Sequence, residues 1–529
     1  MIMIVSVSMF HKLSSTDPSH TKSLYASSII SGIMMGTSYI PFLPWAMFFS
    51  FIPLLFFWLR TNSLKKILIS GWICQFVFTA IGFNWVFYTI REFGNLHWSL
   101  ALLGALAFFS FANLQIPLAG WIWFLLFGKS KNPAVRVLGL ITSLALLERL
   151  FPMIFDWHLG YPWLWAGFPA YQLADLIGFF GLSSLTWIFQ GIFLYTLVRH
   201  SNWKAYTGLG ISLAAFAVLN LWGWAHKPQW NPEKQVSVGI IQANIGNLEK
   251  QMAEKGFRFR QSILDRYFRL SLEASKEQPD FILWPETAFP DFLTPETFQE
   301  GFYGNQVRGF LKEKDPTWLV TGTYSKNPEG KITNSIVVLS KNGYEQLPYH
   351  KTHLLAFGEF IPGAHIFPQL KSWLPMVADF ARGNGPTVLE VKEVRAGMQI
   401  CYEGLFDNFS RSLAQKGAEI LINVTNDSWF GTWQEPYQHM TMTLARSIEV
   451  RLPLIRSTNT GISTVQLPKG QLELQSPMNQ EWQHVYSVPY RKNPPLTVFS
   501  GFGYWVFPIL LVALWAWALI WKRRTDSQD

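Results

Sequence analysis

The sequence predicts two parts of different class: an α-helical membrane bundle of about eight spans, and one layered α/β domain set before the last span. Three observations predict it. Hydrophobic residues make up 49% of the 529-residue chain but charged residues only 15%, well short of the ~25% charge of an ordinary soluble chain. The chain also carries 25 Trp and 44 Phe, more aromatic surface than a water-facing fold needs. And the hydrophobic blocks near span length cluster before residue 226 and after residue 497, while the stretch between alternates short β-rich runs with helical ones.

A spanning helix needs about 20 mostly apolar residues. Seven blocks before residue 226 approach that length, near 24–40, 44–59, 67–89, 97–127, 134–151, 172–198 and 206–225, with an eighth near 498–521. The second is short and contains Pro53; the fourth is long and carries Pro117, which predicts a tilt or kink. This gives a membrane domain of about seven helices over 1–225, a polar domain over 226–497, and a final helix with a basic tail over 498–529. The first ten residues, MIMIVSVSMF, are apolar but too short to span and read as an uncleaved start.

Charge gives the orientation. Lys12, Lys22, Arg60, Lys65, Lys66, Lys129, Lys131, Arg136, Arg199, Lys204, Lys522, Arg523 and Arg524 fall in one set of alternating loops, and only Arg91 and Arg149 in the other. That asymmetry places both termini in the cytoplasm and residues 226–497 on the outer face. The same distribution argues against nucleic acid. The net charge is +9, yet residues 225–495 balance 28 basic against 27 acidic side chains, so no folded basic groove is predicted. Two Cys, at 74 and 401, make neither a disulfide framework nor a zinc site, and no cofactor or metal is expected.

Polar residues inside the membrane part have two readings, a substrate path or helix ends with local partners. Asn84 and Asp175 take the second; Glu148 and Arg149 stay open. The run Asp156 to Trp165 (DWHLGYPWLW) reads as an interfacial aromatic belt or a lipid entrance.

From Gln235 the pattern changes. QVSVGIIQAN (235–244), DFILWPET (280–287), TWLVTGTY (317–324), NSIVVLS (334–340), AGMQICYE (396–403), EILINVTND (419–427) and PLIRSTNTGISTVQ (453–466) read as strands. Helical stretches near 256–276, 302–314, 406–417 and 437–450 intervene. Nearly continuous apolar runs such as EILINV predict strands buried on both faces, hence sheets covered by helices.

Chemistry sits at the strand ends. Glu286 closes FILWPE, Lys351 follows a turn-rich run, and Cys401 ends a strand before a predicted helix. A strand-to-helix turn exposes a side chain and aims amides at it, so Cys401 is expected to be an exposed thiol of lowered pKa. Each residue alone is a weak signal: a lone Cys is usually core, a lone Glu a solvated cap, a lone Lys surface.

Together they resemble the nitrilase superfamily. Its motifs follow in order as Gln242-Ala243-Asn244, Trp284-Pro285-Glu286, His350-Lys351, Phe357-Gly358-Glu359, Cys401-Tyr402-Glu403 and Asn423 to Gly431 (NVTNDSWFG). With seven spans before them and one after, the chain is similar to the membrane-anchored branch, the apolipoprotein N-acyltransferases of the bacterial inner membrane. The resemblance covers nearly the whole chain. It implies an α-β-β-α sandwich, multi-pass in the membrane and facing the periplasm. Glu286 would be general base, Cys401 nucleophile, and Lys351 the cation beside the tetrahedral intermediate. Glu359, Tyr402, Glu403 and Asn334 would support them. Acyl would pass from a phospholipid donor to Cys401 as a thioester, then to the α-amine of a diacylglyceryl apolipoprotein acceptor; a monomer is expected. One departure stands out: Gln251 occupies the place where the family commonly has Trp.

The apolar, Pro-rich segment 360–380 reads as a lid dipping into the bilayer, with residues 428–434 as a second wall. The nearest rival is a membrane-tethered amidase using the same triad with water as acceptor. A transporter with an appended binding domain is disfavoured, since no inverted repeat is seen.

Overall fold

The computed structural model describes residues 21–94, 96–226, 230–374 and 377–527. The apolar start at residues 1–10 lies outside them. The chain divides into two compact units. One comprises the chain through Phe87, Trp98–His226 and the chain from Phe502 onward; the other comprises Tyr88–His97 and Lys227–Gly501.

The first unit is all helical. Among the described residues five helices are long and apolar enough to cross a membrane: Leu64–Gly82, Trp98–Leu126, Pro169–Arg199, Trp203–Ala225 and Phe499–Asp526. The other three predicted spans are weaker for visible reasons. Thr21–Ser38 is crowded with hydroxyls, and Pro133–Leu150 carries Arg136, Glu148 and Arg149. The segment 44–59 splits into Pro44–Phe48 and Ile52–Arg60. Gly32 and Gly36 let Thr21–Ser38 lie against Leu64–Gly82, since a Cβ on either would stand under 3 Å from the Val77 or Ile81 side chain.

Two expectations change in detail, and the kink expected from Pro117 is found. The predicted span 67–89 ends at Gly82, and a new helix, Trp85–Gly94, begins after a turn at Phe83–Asn84. The long block 97–127 breaks at residues 112–114, because Pro117 cannot donate to the carbonyl four residues back. Asn113 fills the break, accepting from Gln115 and Trp157 and donating to Thr79. The run Asp156 to Trp165 is not an exposed belt. Trp157, Tyr161 and Trp163 are buried, Trp157 against Phe78 and Trp163 against Phe48. Rings that could have met lipid are the core of this unit instead.

The second unit is built on two mixed sheets. β1 (Lys234–Gln242), β2 (Phe281–Leu283), β3 (Trp318–Lys326), β4 (Ile332–Ser340), β5 (Gly343–Tyr344), β6 (Tyr349–His350) and β12 (Trp482–Tyr490) form the first; β7 (Val388–Val391), β8 (Val394–Ile400), β9 (Ile420–Thr425), β10 (Leu454–Thr458) and β11 (Thr464–Gln466) form the second. Their orders are β12-β1-β2-β3-β4-β5, with β6 beside β4, and β11-β10-β9-β8-β7. Parallel pairs (β1–β2, β2–β3, β8–β9, β9–β10) occupy the centres, where both faces are buried and the runs are continuously apolar. The sheets meet through Thr458, whose hydroxyl bonds Gln242, and Ser457, which reaches the Leu283 carbonyl. Helices Phe257–Ser275 and Phe302–Glu313 cover the first sheet, and Asp407–Gln415 and Glu435–Val450 pack with the second. Trp284 shows what the layer buries: it is fully enclosed, packs tilted at 4.8 Å against Tyr267 and donates its indole N–H to Ser271. Enclosing such a side chain contributes about 2–3 kcal/mol.

Candidate active site

Glu286 sits one residue beyond Pro285, where β2 has ended. Gly322 of β3 lets that turn come close, since a Cβ there would lie 2.6 Å from the Glu286 Cα. The carboxylate is buried, with three donors. Asn334 Nδ2 reaches Oε1 at 2.7 Å, Lys351 Nζ reaches Oε1 at 3.2 Å, and the Asn426 backbone N–H reaches Oε2 at 3.0 Å. The donors come from β4, from the loop after β6 and from the end of β9, so the Glu286 position is fixed by both sheets.

Lys351 is bonded to a second carboxylate, Glu359 Oε1, at 2.8 Å. Asn334 touches Glu359 as well, at 3.1 Å, and the Leu355 N–H holds the other Glu359 oxygen. Burial favours the neutral amine of Lys351, but Glu286, Glu359 and Cys401 outweigh it and hold the group well above the usual lysine range. It is a fixed ammonium shared between two carboxylates.

Cys401 follows β8 directly, with φ of +49°, a left-handed conformation that costs a non-glycine residue about 1 kcal/mol or more. A 3₁₀ turn, Cys401–Leu405, rather than an α-helix follows it. The expectation of an exposed, acidified thiol is not met. Cys401 is buried at 7% exposure. Burial first, then Glu286 and Asp427, push the thiol well up, against the pull of Lys351 and the Thr425 hydroxyl. The physical reason is solvent exclusion, which penalises the thiolate more than a short turn's amides favour it. Both cysteines are free.

Glu403 is fully buried yet not part of the carboxylate–lysine group. It accepts from the Tyr349 hydroxyl and from the N–H groups of Ile400, Thr352 and His353. It therefore ties the strand end carrying Cys401 to the loop carrying Lys351. Burial raises its pKa to about 7, against those donors. Tyr402 packs edge-on to Phe406 at 4.9 Å. Gln251 lies in helix Asn247–Lys255, and its side chain lies outside the described residues. Thus all seven predicted site residues fall in one unit. Asn334, Lys351 and the two glutamates are directly bonded, and Cys401 interacts electrostatically with Glu286 and Lys351.

Sequence reasoning missed the backbone of Asn426 as a donor to Glu286, and Asn423, whose side chain donates to the Cys401 carbonyl at 3.3 Å. Both stand in the motif NVTND, which was the available signal. Also missed was Lys250, which reaches the Thr287 hydroxyl at 3.0 Å; burial lowers its pKa to about 8, partly opposed by Glu286.

A mostly buried cluster holding a thiol, two carboxylates and an ammonium is able to move one proton between sulfur and oxygen beside a fixed positive charge. Residues 237–484 match the carbon-nitrogen hydrolase family, and residues 31–192 match the apolipoprotein N-acyltransferase N-terminal domain. A solved amidase of the nitrilase superfamily from Nesterenkonia superposes with a TM-score of 0.36 at 17% identity, covering 49% of this chain and 93% of the amidase. Among curated relatives, the apolipoprotein N-acyltransferase of Geobacter metallireducens is 28% identical, covering 86% of this chain and 88% of its own. That of Bdellovibrio bacteriovorus is 43% identical over 511 residues, 92% of each chain. With likeness at that level along almost its whole length, the chain belongs to the apolipoprotein N-acyltransferase family.

Proposed function

We propose that this protein moves a fatty acyl chain from a membrane phospholipid to Cys401, and from there to the α-amine of an N-terminal diacylglyceryl-cysteine, the final step of bacterial lipoprotein maturation. The observation that carries this is the fixed Glu286, bonded by Asn334, Lys351 and the Asn426 amide, which acts electrostatically on a protonated Cys401.

In the first half-reaction Glu286 takes the thiol proton and sulfur attacks the ester carbonyl. The C–S bond forms, and negative charge on the former carbonyl oxygen is balanced by Lys351. The C–O bond to glycerol then breaks, and protonated Glu286 returns the proton to the departing lysophospholipid. In the second, the acceptor amine attacks the thioester and gives its proton to Glu286. The C–N bond forms, and sulfur leaves and is reprotonated. A thiol held protonated at rest suits an enzyme in which Glu286 removes the proton only as the ester carbonyl is attacked. Glu359 steadies Lys351, Asn334 orients both carboxylates, and Glu403 fixes the geometry between the Cys401 and Lys351 segments.

The reading places the protein in the bacterial inner membrane with eight spans, the α/β unit over 226–497 in the periplasm, and both termini cytoplasmic. It works there as a monomer. The hydroxyls of Ser27, Ser28 and Ser38 bond carbonyls of their own helix, which supports a spanning role for Thr21–Ser38 despite its composition. Segment 360–380 exposes Ile366, Phe367 and Trp373 at 63–73%, a pattern that supports an arm lying in lipid.

Incubation with labelled phospholipid and a diacylglyceryl-cysteine peptide tests the function. N-acylated peptide is the expected product. Free fatty acid with unmodified peptide would establish a hydrolase instead.

A further inference from the structure

Behind Cys401 lies a second group of charges that the reaction above does not use. Asp427 follows β9, Glu435 and His439 stand one turn apart at the start of helix Glu435–Val450, and Arg456 is in β10. All four are buried, and Arg456 is wholly enclosed. His439 Nδ1 stands 3.0 Å from Asp427 Oδ1 and 3.4 Å from Glu435 Oε1. Arg456 Nη2 donates to Asp427 Oδ2 at 2.9 Å. Two carboxylates, an imidazolium and a guanidinium then sum to zero, as burial demands. Space is reserved for this arrangement, because a Cβ on Gly461 would lie 2.1 Å from Asp427 Oδ2.

The group reaches the reacting residues by two direct routes. Arg456 Nη1 donates to Asn423 Oδ1 at 2.7 Å, and Asn423 donates to the Cys401 carbonyl. Asp427 Oδ1 accepts from the Thr425 hydroxyl at 3.3 Å, and the residue between them, Asn426, offers its N–H to Glu286. Asp427 also acts on the Cys401 thiol through its charge.

We propose that Asp427, Glu435, His439 and Arg456 form a charge-balanced buried quartet that positions Cys401 and Glu286 for thioester formation without touching substrate. This rests on the acyl-transfer reading above. Burial and Arg456 favour the neutral imidazole, but Asp427 and Glu435 outweigh them and hold His439 up at about 9. Burial and then Asp427 raise Glu435 to about 7, against His439 and Arg456, so the quartet carries all four charges between about pH 7 and about 9. The same three acidic and imidazole atoms are near enough together to hold a cation; in the proposal Arg456 and the imidazolium supply that charge.

Removing His439 alone leaves an uncompensated negative charge facing Cys401, to which Glu286 adds and which Lys351 opposes. Removing Glu435 as well restores neutrality. In the purified full-length protein, His439→Gln is expected to slow single-turnover loading of Cys401 by about tenfold or more, with phospholipid KM within about twofold. It should also slow alkylation of Cys401 by iodoacetamide at pH 8, where His439 is charged, by about fivefold or more. The double variant Glu435→Gln/His439→Gln should return loading to within about threefold of wild type and alkylation at pH 8 to within about twofold. A role in packing alone predicts the double variant to be no better than the single one. Loading at the wild-type rate in His439→Gln, a double variant no better than the single, a double variant that does not fold, or one equivalent of bound metal would each overturn the proposal. Alkylation needs no lipid. If wild-type Cys401 takes no acyl group from phospholipid, the acyl-transfer reading fails while the alkylation rates at pH 8 still decide the quartet.

Discussion

The membrane unit and the α/β unit each bury a carboxylate, and they satisfy it by opposite means. Glu148 accepts from three neutral donors, the Leu159 N–H, the Ser183 hydroxyl and the Trp187 indole, with His158 standing 3.8 Å off. Those donors come from the loop at 156–160 and the helix Ala174–Arg199, so Glu148 knits three segments together. Glu286 instead shares a charged lysine with Glu359. Neutral donors fix a carboxylate and leave it nothing to do. A shared ammonium beside a thiol leaves a proton that can move at little cost, because the lysine charge is compensated by the second carboxylate throughout. Burial of an ionisable group is thus not by itself a sign of chemistry; the charge of its partners is.

Substitutions can break that comparison, and the largest effect is expected at the nucleophile. Cys401→Ala should abolish acyl transfer, and Cys401→Ser should do nearly the same, because a hydroxyl is a far weaker nucleophile near neutral pH. Cys74→Ser, in helix Leu64–Gly82, should stay active; turnover assays of the three variants check this. Next comes Lys351→Met, expected to slow loading by about 10²–10³-fold, the scale of a lost oxyanion donor, in stopped single-turnover reactions. Glu359→Gln keeps the lysine and one carboxylate. It should slow loading by about tenfold, an intermediate effect that rules out equal roles for the two glutamates.

The alkylation profile of wild type follows from the same geometry. With the thiol held well above its usual range, Cys401 should react with iodoacetamide at pH 7.5 at least about tenfold more slowly than a free thiol, and its rate should still be climbing at pH 9.5. A plateau below pH 8 would mean that the thiol is activated at rest. The smallest effect on chemistry belongs to the membrane carboxylate. Glu148→Gln should cost about 1–3 kcal/mol of stability, since the amide presents a donor where only donors stand. Thermal denaturation in detergent should record the loss, while loading per folded molecule stays within about twofold.

How much of this the sequence shows depends on whether the information is local. The strands around FILWPE and EILINVT are legible because burial on both faces writes a continuous apolar run. Their observed bounds, Phe281–Leu283 and Ile420–Thr425, fall inside those runs. β12 is not legible: WQHVYSVPY is half-buried and becomes a strand by pairing antiparallel along the whole of β1. Glu286, Asn334, Lys351 and Glu359 were singled out in the sequence, and the structure brings these four within hydrogen-bond reach of one another. The state of the thiol was not legible, because the groups that act on Cys401 beside its burial, Glu286, Lys351, Thr425 and Asp427, are all distant from it in sequence. The quartet behind it failed for the same reason, with Asp427, His439 and Arg456 on three separate elements. In the membrane unit the aromatic run near Trp157 was seen but misplaced, since a hydrophobic ring serves lipid and core equally well. Only the packing partners Phe78 and Phe48 decide between them.

The central claim is that Glu286 takes the proton of Cys401 and that Cys401 carries the acyl chain. Its most direct test is mass analysis of the peptide containing Cys401 after a single turnover with phospholipid and no acceptor. Wild type should gain the mass of one acyl chain, released by hydroxylamine and by the acceptor peptide, and Glu286→Gln should gain none on that time scale. N-acylated product formed while Cys401 never carries an acyl group, or a Glu286→Gln protein that loads at the wild-type rate, would contradict the account.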